Sequence, residues 1–115
     1  MVLDFLITLG VSFLLIATGF CVTLHIAARY VLGDVEPKRA LVAIAPAVVV
    51  VSATQAGYVA AGAILAIGVD FLAIRRGYGL ENRNAAFVTV IHYVVSIIIA
   101  FTIRNLLLLL GTVPG

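Results

Sequence analysis

From Ala40 to Ile74 the chain carries a single charged side chain, Asp70. As one helix this stretch would be about 52 Å long, roughly 20 Å more than the hydrocarbon core of a bilayer. Split near Gln55–Gly57 it makes two helices of about 25 Å each, slightly short for a bilayer but tolerable with local thinning. Ser52, Thr54 and Gln55 form the one polar cluster in the stretch, Gly57 can take positive φ, and Tyr58 suits a membrane interface. These features predict a tight turn between two helices. A single long helix, kinked at Pro46 or broken near Gln55, is the competing reading.

Composition places the whole chain in the same solvent. Its 115 residues are 64% hydrophobic and 10% charged, with a mean hydropathy of +1.29. Too little polar surface is available for a water-soluble domain, so lipid is the expected environment. The N-terminal MVLDFLITLG carries Asp4 where a signal peptide would carry Lys or Arg, which predicts a retained membrane helix. The expected fold class is all-α, a transmembrane bundle of four helices over about residues 3–28, 40–55, 58–75 and 85–110. It forms one integral membrane domain. The alternative is three helices with a long or kinked second. Gly111 and Pro114 are expected to close the last helix, and Asn84 to cap its start.

Two polar links separate the apolar runs: RYVLGDVEPKR, then RRGYGLENRN. Six of the seven basic residues flank them, and only Arg104 lies elsewhere. With four helices both links fall on one face, giving the bias of the positive-inside rule; with three helices the bias vanishes. The expectation is a plasma-membrane protein with basic links in the cytoplasm, close to anionic lipid headgroups, and both termini outside. A net charge of +2 is too small to point to nucleic acid. Cys21 has no partner for a disulfide or a metal pair and reads as a packing residue.

Small and hydroxylated residues recur at helical spacing. Thr8, Ser12, Gly19 and Thr23 share a face of the first helix. Gly62, Ala66 and Ala73 share one on the third, with Ala63 and Asp70 beside it. Ala85, Thr89, His92 and Ser96 share one on the fourth. Such stripes let membrane helices approach closely and hydrogen-bond across the contact.

His25, Asp70 and His92 all fall in the link-side half of the span, where an ionisable group is costly and turns toward a partner. Asp70 with His92, or Asp70 with His25, is the expected pairing. As a set they read as a proton or ion relay; the structural reading has Asp70 held by Arg75 or Arg76 and His92 bonded to a neighbouring helix. Axial ligation of haem b by the two histidines needs matched depth, which they lack, so no cofactor is expected. No metal site is expected either. Arg104 and Asn105, near the outer end of the fourth helix, are expected to meet Asp4 at the start of the first; an anion site is the rival reading.

No nucleophile elbow, HExxH, P-loop or metal-ligand spacing is present, which argues against an enzyme. The leading functional expectation is a structural or accessory subunit of a membrane complex, or a homo-oligomer, since that requires no chemistry beyond packing. A small oligomeric proton- or ion-coupled transporter or channel, using the Asp/His cluster, is the second.

Overall fold

The computed structural model describes residues 1–112, so Pro114 lies outside the described residues. Four α-helices and one 3₁₀ segment make up the fold: α1 (Val2–Leu32), the 3₁₀ segment Pro37–Ala43 leading directly into α2 (Ile44–Ala56), α3 (Val59–Gly77) and α4 (Asn82–Gly111). Three spans are long and apolar enough to cross a membrane: α1, the continuous Pro37–Ala56 and α4. In α3 the charges of Asp70, Arg75 and Arg76 lower the hydropathy.

The long uncharged stretch contains a turn. Gly57 sits at φ 84, ψ 12, and Tyr58 N–H donates to the Ala53 carbonyl while Gly57 N–H donates to that of Thr54. This pair of bonds satisfies carbonyls that the helix end would otherwise orphan, and it needs the left-handed conformation that glycine adopts without strain. Helices α2 and α3 then fold back on each other closely enough that a Cβ built on Gly62 would overlap that of Ala53. A change of winding, from 3₁₀ to α, precedes the turn. Prolines bracket the 3₁₀ segment, Pro37 at its first turn and Pro46 just inside α2. Pro46 lacks the N–H for an α-type bond back to Val42, so the tighter winding ends where the proline enters.

Both links lie at one end of the molecule. Leu24, Ala28, Ala40, Ala43, Ile74, Tyr78, Ala85 and Val88 form one buried cluster there, drawn from all the segments that enter or leave the links. Glu36 is extended ahead of Pro37, as its position before a proline requires. The second link is tighter than expected. Leu80 N–H donates to the Arg75 carbonyl around Gly79, which has φ 62, and α4 begins at Asn82 with Glu81 as its cap. Asn84 is therefore inside the first turn of α4 and not its cap, because this bond reverses the chain before it is reached.

Burial is concentrated at the link end. Helix α1 buries Ala17, Thr23, Leu24, Ala27 and Ala28. Of its expected packing face only Thr23 is buried; Ser12 is half-buried, and Thr8 and Gly19 are exposed. The hairpin is shorter than α1 and α4, so the first part of α1 has only α4 beside it. On α3 the buried face is Gly62, Ala66, Asp70 and Ile74, at intervals of four. Asp70 is thus part of that stripe, while Ala73 is half-buried at its side and Ala63 is exposed. On α4, Ala85, Val88, Thr89 and His92 are buried and Ser96 half-buried.

Candidate functional site

A hydrogen-bonded chain of four side chains joins α1, α3 and α4. Asp70 stands one helical turn after Ala66 on the buried stripe of α3 and is itself fully buried. His92 faces it from α4, and His92 Nδ1 lies 2.6 Å from Asp70 Oδ2. The other ring nitrogen, Nε2, lies 2.9 Å from Thr23 Oγ1 on α1. Ser96, one turn after His92, has its hydroxyl 2.7 Å from the His92 carbonyl and 3.1 Å from Thr23 Oγ1. Phe20 closes the side of the site, its ring set edge-on to the imidazole at 5.8 Å.

Counting hydrogens limits what this chain can hold. Thr23 has one hydroxyl hydrogen and three acceptors in reach, the Phe20 carbonyl at 3.1 Å, Ser96 Oγ at 3.1 Å and His92 Nε2. If the hydroxyl donates to Nε2, the imidazole carries its proton on Nδ1 and donates to Asp70. If it donates to Phe20 or Ser96, Nε2 must carry a hydrogen and donate to the threonine oxygen. The ring then bears two protons, or has left the Nδ1 proton with Asp70. Rotation of the Thr23 hydroxyl therefore accompanies gain or loss of the hydrogen on Nε2, whereas a shift of the Nδ1 proton to Asp70 needs none. Asp70 Oδ1 is buried and accepts no hydrogen bond among the described residues, a costly arrangement for a carboxylate.

Three expected contacts do not form. His25 shares neither bond; its Nδ1 is buried without a partner among the described residues. It follows Thr23 by two residues, about 200° around α1, so it faces away from α4. The same turn keeps it from facing His92 across a haem plane. Asp70 is not paired with Arg75 or Arg76, both of which are exposed. Asp4, Arg104 and Asn105 are also exposed, and among the described residues the only ion pairs are Glu36–Lys38 and Asp70–His92. Counted outward from the Thr23–His92 level, Arg104 stands opposite Val11, about 10 Å short of Asp4 along the axis.

The sequence pattern placed Thr23 and Ser96 on packing stripes but missed that they complete a chain through His92. The signal was present for Ser96, one turn from His92 on a common stripe. For Thr23 and Phe20, on another helix, no local signal exists.

Thr23 and Ser96 also form the floor of a groove of about 690 Å³ between α1 and α4. Its walls are apolar, among them Ile16, Gly19, Ile99 and Ala100, and Arg104 lies toward its far end. Among the described residues no three His, Cys, Asp or Glu side chains come close enough to hold a metal ion.

The model of a family described as "Family of unknown function (DUF7473)" matches residues 5–114. The chain belongs to that family. No curated protein and no solved structure matches it.

Proposed function

We propose that this member of the family is a small integral membrane protein that handles protons at the Asp70–His92 pair, as a proton-coupled carrier or channel. The observation that carries the reading is the 2.6 Å contact between two fully buried titratable side chains, continued by hydroxyls to the floor of a groove. A carboxylate and an imidazole in this contact can share and pass a proton, and Thr23 can follow by rotating its hydroxyl. The expected structural anchor for Asp70, an arginine at the headgroups, is absent among the described residues, which moves the relay ahead of the purely structural reading. Its test is proton flux into liposomes holding the purified protein, read with a trapped pH dye. Asp70→Asn and His92→Gln should each abolish flux, whereas Ser52→Ala leaves it intact. Wild-type protein that carries no protons, or an Asp70→Asn variant that carries as many, defeats the relay.

A structural or accessory subunit, or a homo-oligomer, is the second reading. It is supported by the bare outer portions of α1 and α4, where Leu3, Phe5, Leu6 and Leu106 to Leu110 are all more than half exposed. Co-purification of a partner, or a stable oligomer in mild detergent without flux, would favour it.

Both readings use the same orientation: plasma membrane, basic links cytoplasmic, termini and the Gly57 turn outside. Six basic residues at the link end support it. In a Cys21→Ser background, a cysteine at Gln55 should react with a membrane-impermeant maleimide on intact cells. Cysteines at Asp34 and Gly79 should react only after permeabilisation.

A further inference from the structure

The groove between α1 and α4 has a polar marker at each end. At the inner end Thr23 and Ser96 spend their hydroxyls on each other, on His92 and on backbone carbonyls, so that end offers mostly carbon to an occupant. Toward the other end stands Arg104, exposed and without a carboxylate partner among the described residues. From Ser96 to Leu108, the groove's extent along α4, is about 18 Å. That is close to the depth of one leaflet, half of the roughly 30 Å hydrocarbon core. The height of Arg104 agrees. Asp70 and His92 fix a common level, and Val59 and Ile103 both lie about 16 Å outward from it. Arg104 therefore stands level with the Gly57 turn, where the hairpin ends and headgroups begin.

We infer that this groove binds one acyl chain of an anionic phospholipid, with the headgroup phosphate on the Arg104 guanidinium and the chain running down to Thr23 and Ser96. Length, apolar walls and a lone cation at the headgroup level together select this occupant. A cation at that level attracts an anionic headgroup, and Asp4, about 10 Å further out, does not neutralise it. The site is distinct from the basic links, which lie at the opposite end of the bundle, and does not depend on proton transfer at Asp70. Gly19 sets the width of the groove. A Cβ built on it meets nothing within 4 Å, so a larger side chain there fills the groove without disturbing the bundle.

The test uses the full chain in phosphatidylcholine vesicles doped with trace lipid bearing a photoreactive diazirine on one acyl chain. The headgroup is either phosphatidylglycerol or phosphatidylcholine, and the cross-linked residues are mapped by mass spectrometry. The anionic probe should label the groove around Gly19 and Ala100 about fivefold more than the zwitterionic one, as expected for one cationic side chain near a headgroup. Arg104→Gln should erase that preference and Arg104→Lys should largely keep it. Gly19→Phe should remove groove labelling while labelling of the other lipid-facing surfaces persists, which also reports that the protein is folded. Equal labelling by the two probes in the wild type overturns the proposal. So does a preference that survives Arg104→Gln, or a groove left unlabelled by either lipid while the other lipid-facing surfaces are labelled.

Discussion

Helices α1 and α4 each run through two unlike environments. At the link end they are wedged against the 3₁₀ segment and α3 through Leu24, Ala28, Ala85 and Val88, all buried, and tied to each other by His92 and Thr23. Toward the chain termini the same helices have only each other, with a groove between them and leucines facing outward. The residue types in the two halves are similarly apolar. What differs is how close a third helix comes, and that depends on alanine and glycine at the crossing points. In lipid, an exposed leucine loses little, because the surrounding tails are as apolar as a protein interior. The packed half owes its order to close fit and to hydrogen bonds; the open half carries exposed leucines and a groove instead.

The contrast can be broken hardest at the polar chain. Asp70→Ala leaves His92 Nδ1 buried without its partner and should cost about 3–5 kcal/mol, measured by thermal or denaturant unfolding in detergent. Asp70→Asn, which still offers an acceptor, should cost much less. Arg104→Ala in the open half should stay within about 0.5 kcal/mol. Comparable losses at Asp70 and Arg104 would mean that the open half is as tightly built as the packed one.

Packing without polarity gives the next largest effect. Leu24→Ala leaves a cavity among α1, α4 and the 3₁₀ segment and should cost about 2 kcal/mol or more. Leu109→Ala, at a side chain 63% exposed and outside the groove, should cost close to nothing in the same assay. A large loss at Leu109 would place a protein partner, rather than lipid, on that surface. Glycines divide in the same way. Gly62→Val forces its branched side chain into Ala53 and should destabilise the hairpin by about 1–3 kcal/mol. Gly10→Val, with nothing within 4 Å, should shift stability by no more than about 0.5 kcal/mol.

The smallest effect should have the opposite sign. Tyr78, at the link end, is buried with a hydroxyl that finds no partner among the described residues. Burial holds its phenol above the ordinary tyrosine value, with the Arg39 charge pulling the other way, so the group stays neutral at physiological pH. Tyr78→Phe should therefore be neutral or stabilise by about 1 kcal/mol. A clear loss on this change would reveal a hydrogen bond at the second link made only in the membrane.

Length and polarity made the hairpin legible. A stretch with one charge, too long for one span and marked by Gln55, Gly57 and Tyr58 near its middle, admits few other arrangements. The pairing of Asp70 with His92 was legible as one of two choices, since depth along a helix can be counted from its ends. Direction around the axis was harder to read. His25 and Thr23 lie within about 3 Å of each other in height, yet one faces away from α4 and the other touches His92. Asp70 was assigned to the edge of its stripe because Ala73 fits the small-residue pattern and the bulkier Ile74, which is the residue buried, does not. The Asp4–Arg104 pairing failed for a related reason: both residues lie toward the termini, but the register between α1 and α4 is set at Thr23 and His92, far from either.

Sequence alone determined the strongly apolar character of the chain, its division at the two links and at Gly57, and the sites where small residues permit close approach. These follow from transfer energies and backbone geometry, which act residue by residue. Only the tertiary structure decided which buried polar groups meet, that Thr23 joins His92, and that α1 and α4 part to leave a groove ending near Arg104. Those depend on the rotation and relative height of rigid helices, and a hydrogen bond tolerates errors of only a few tenths of an ångström.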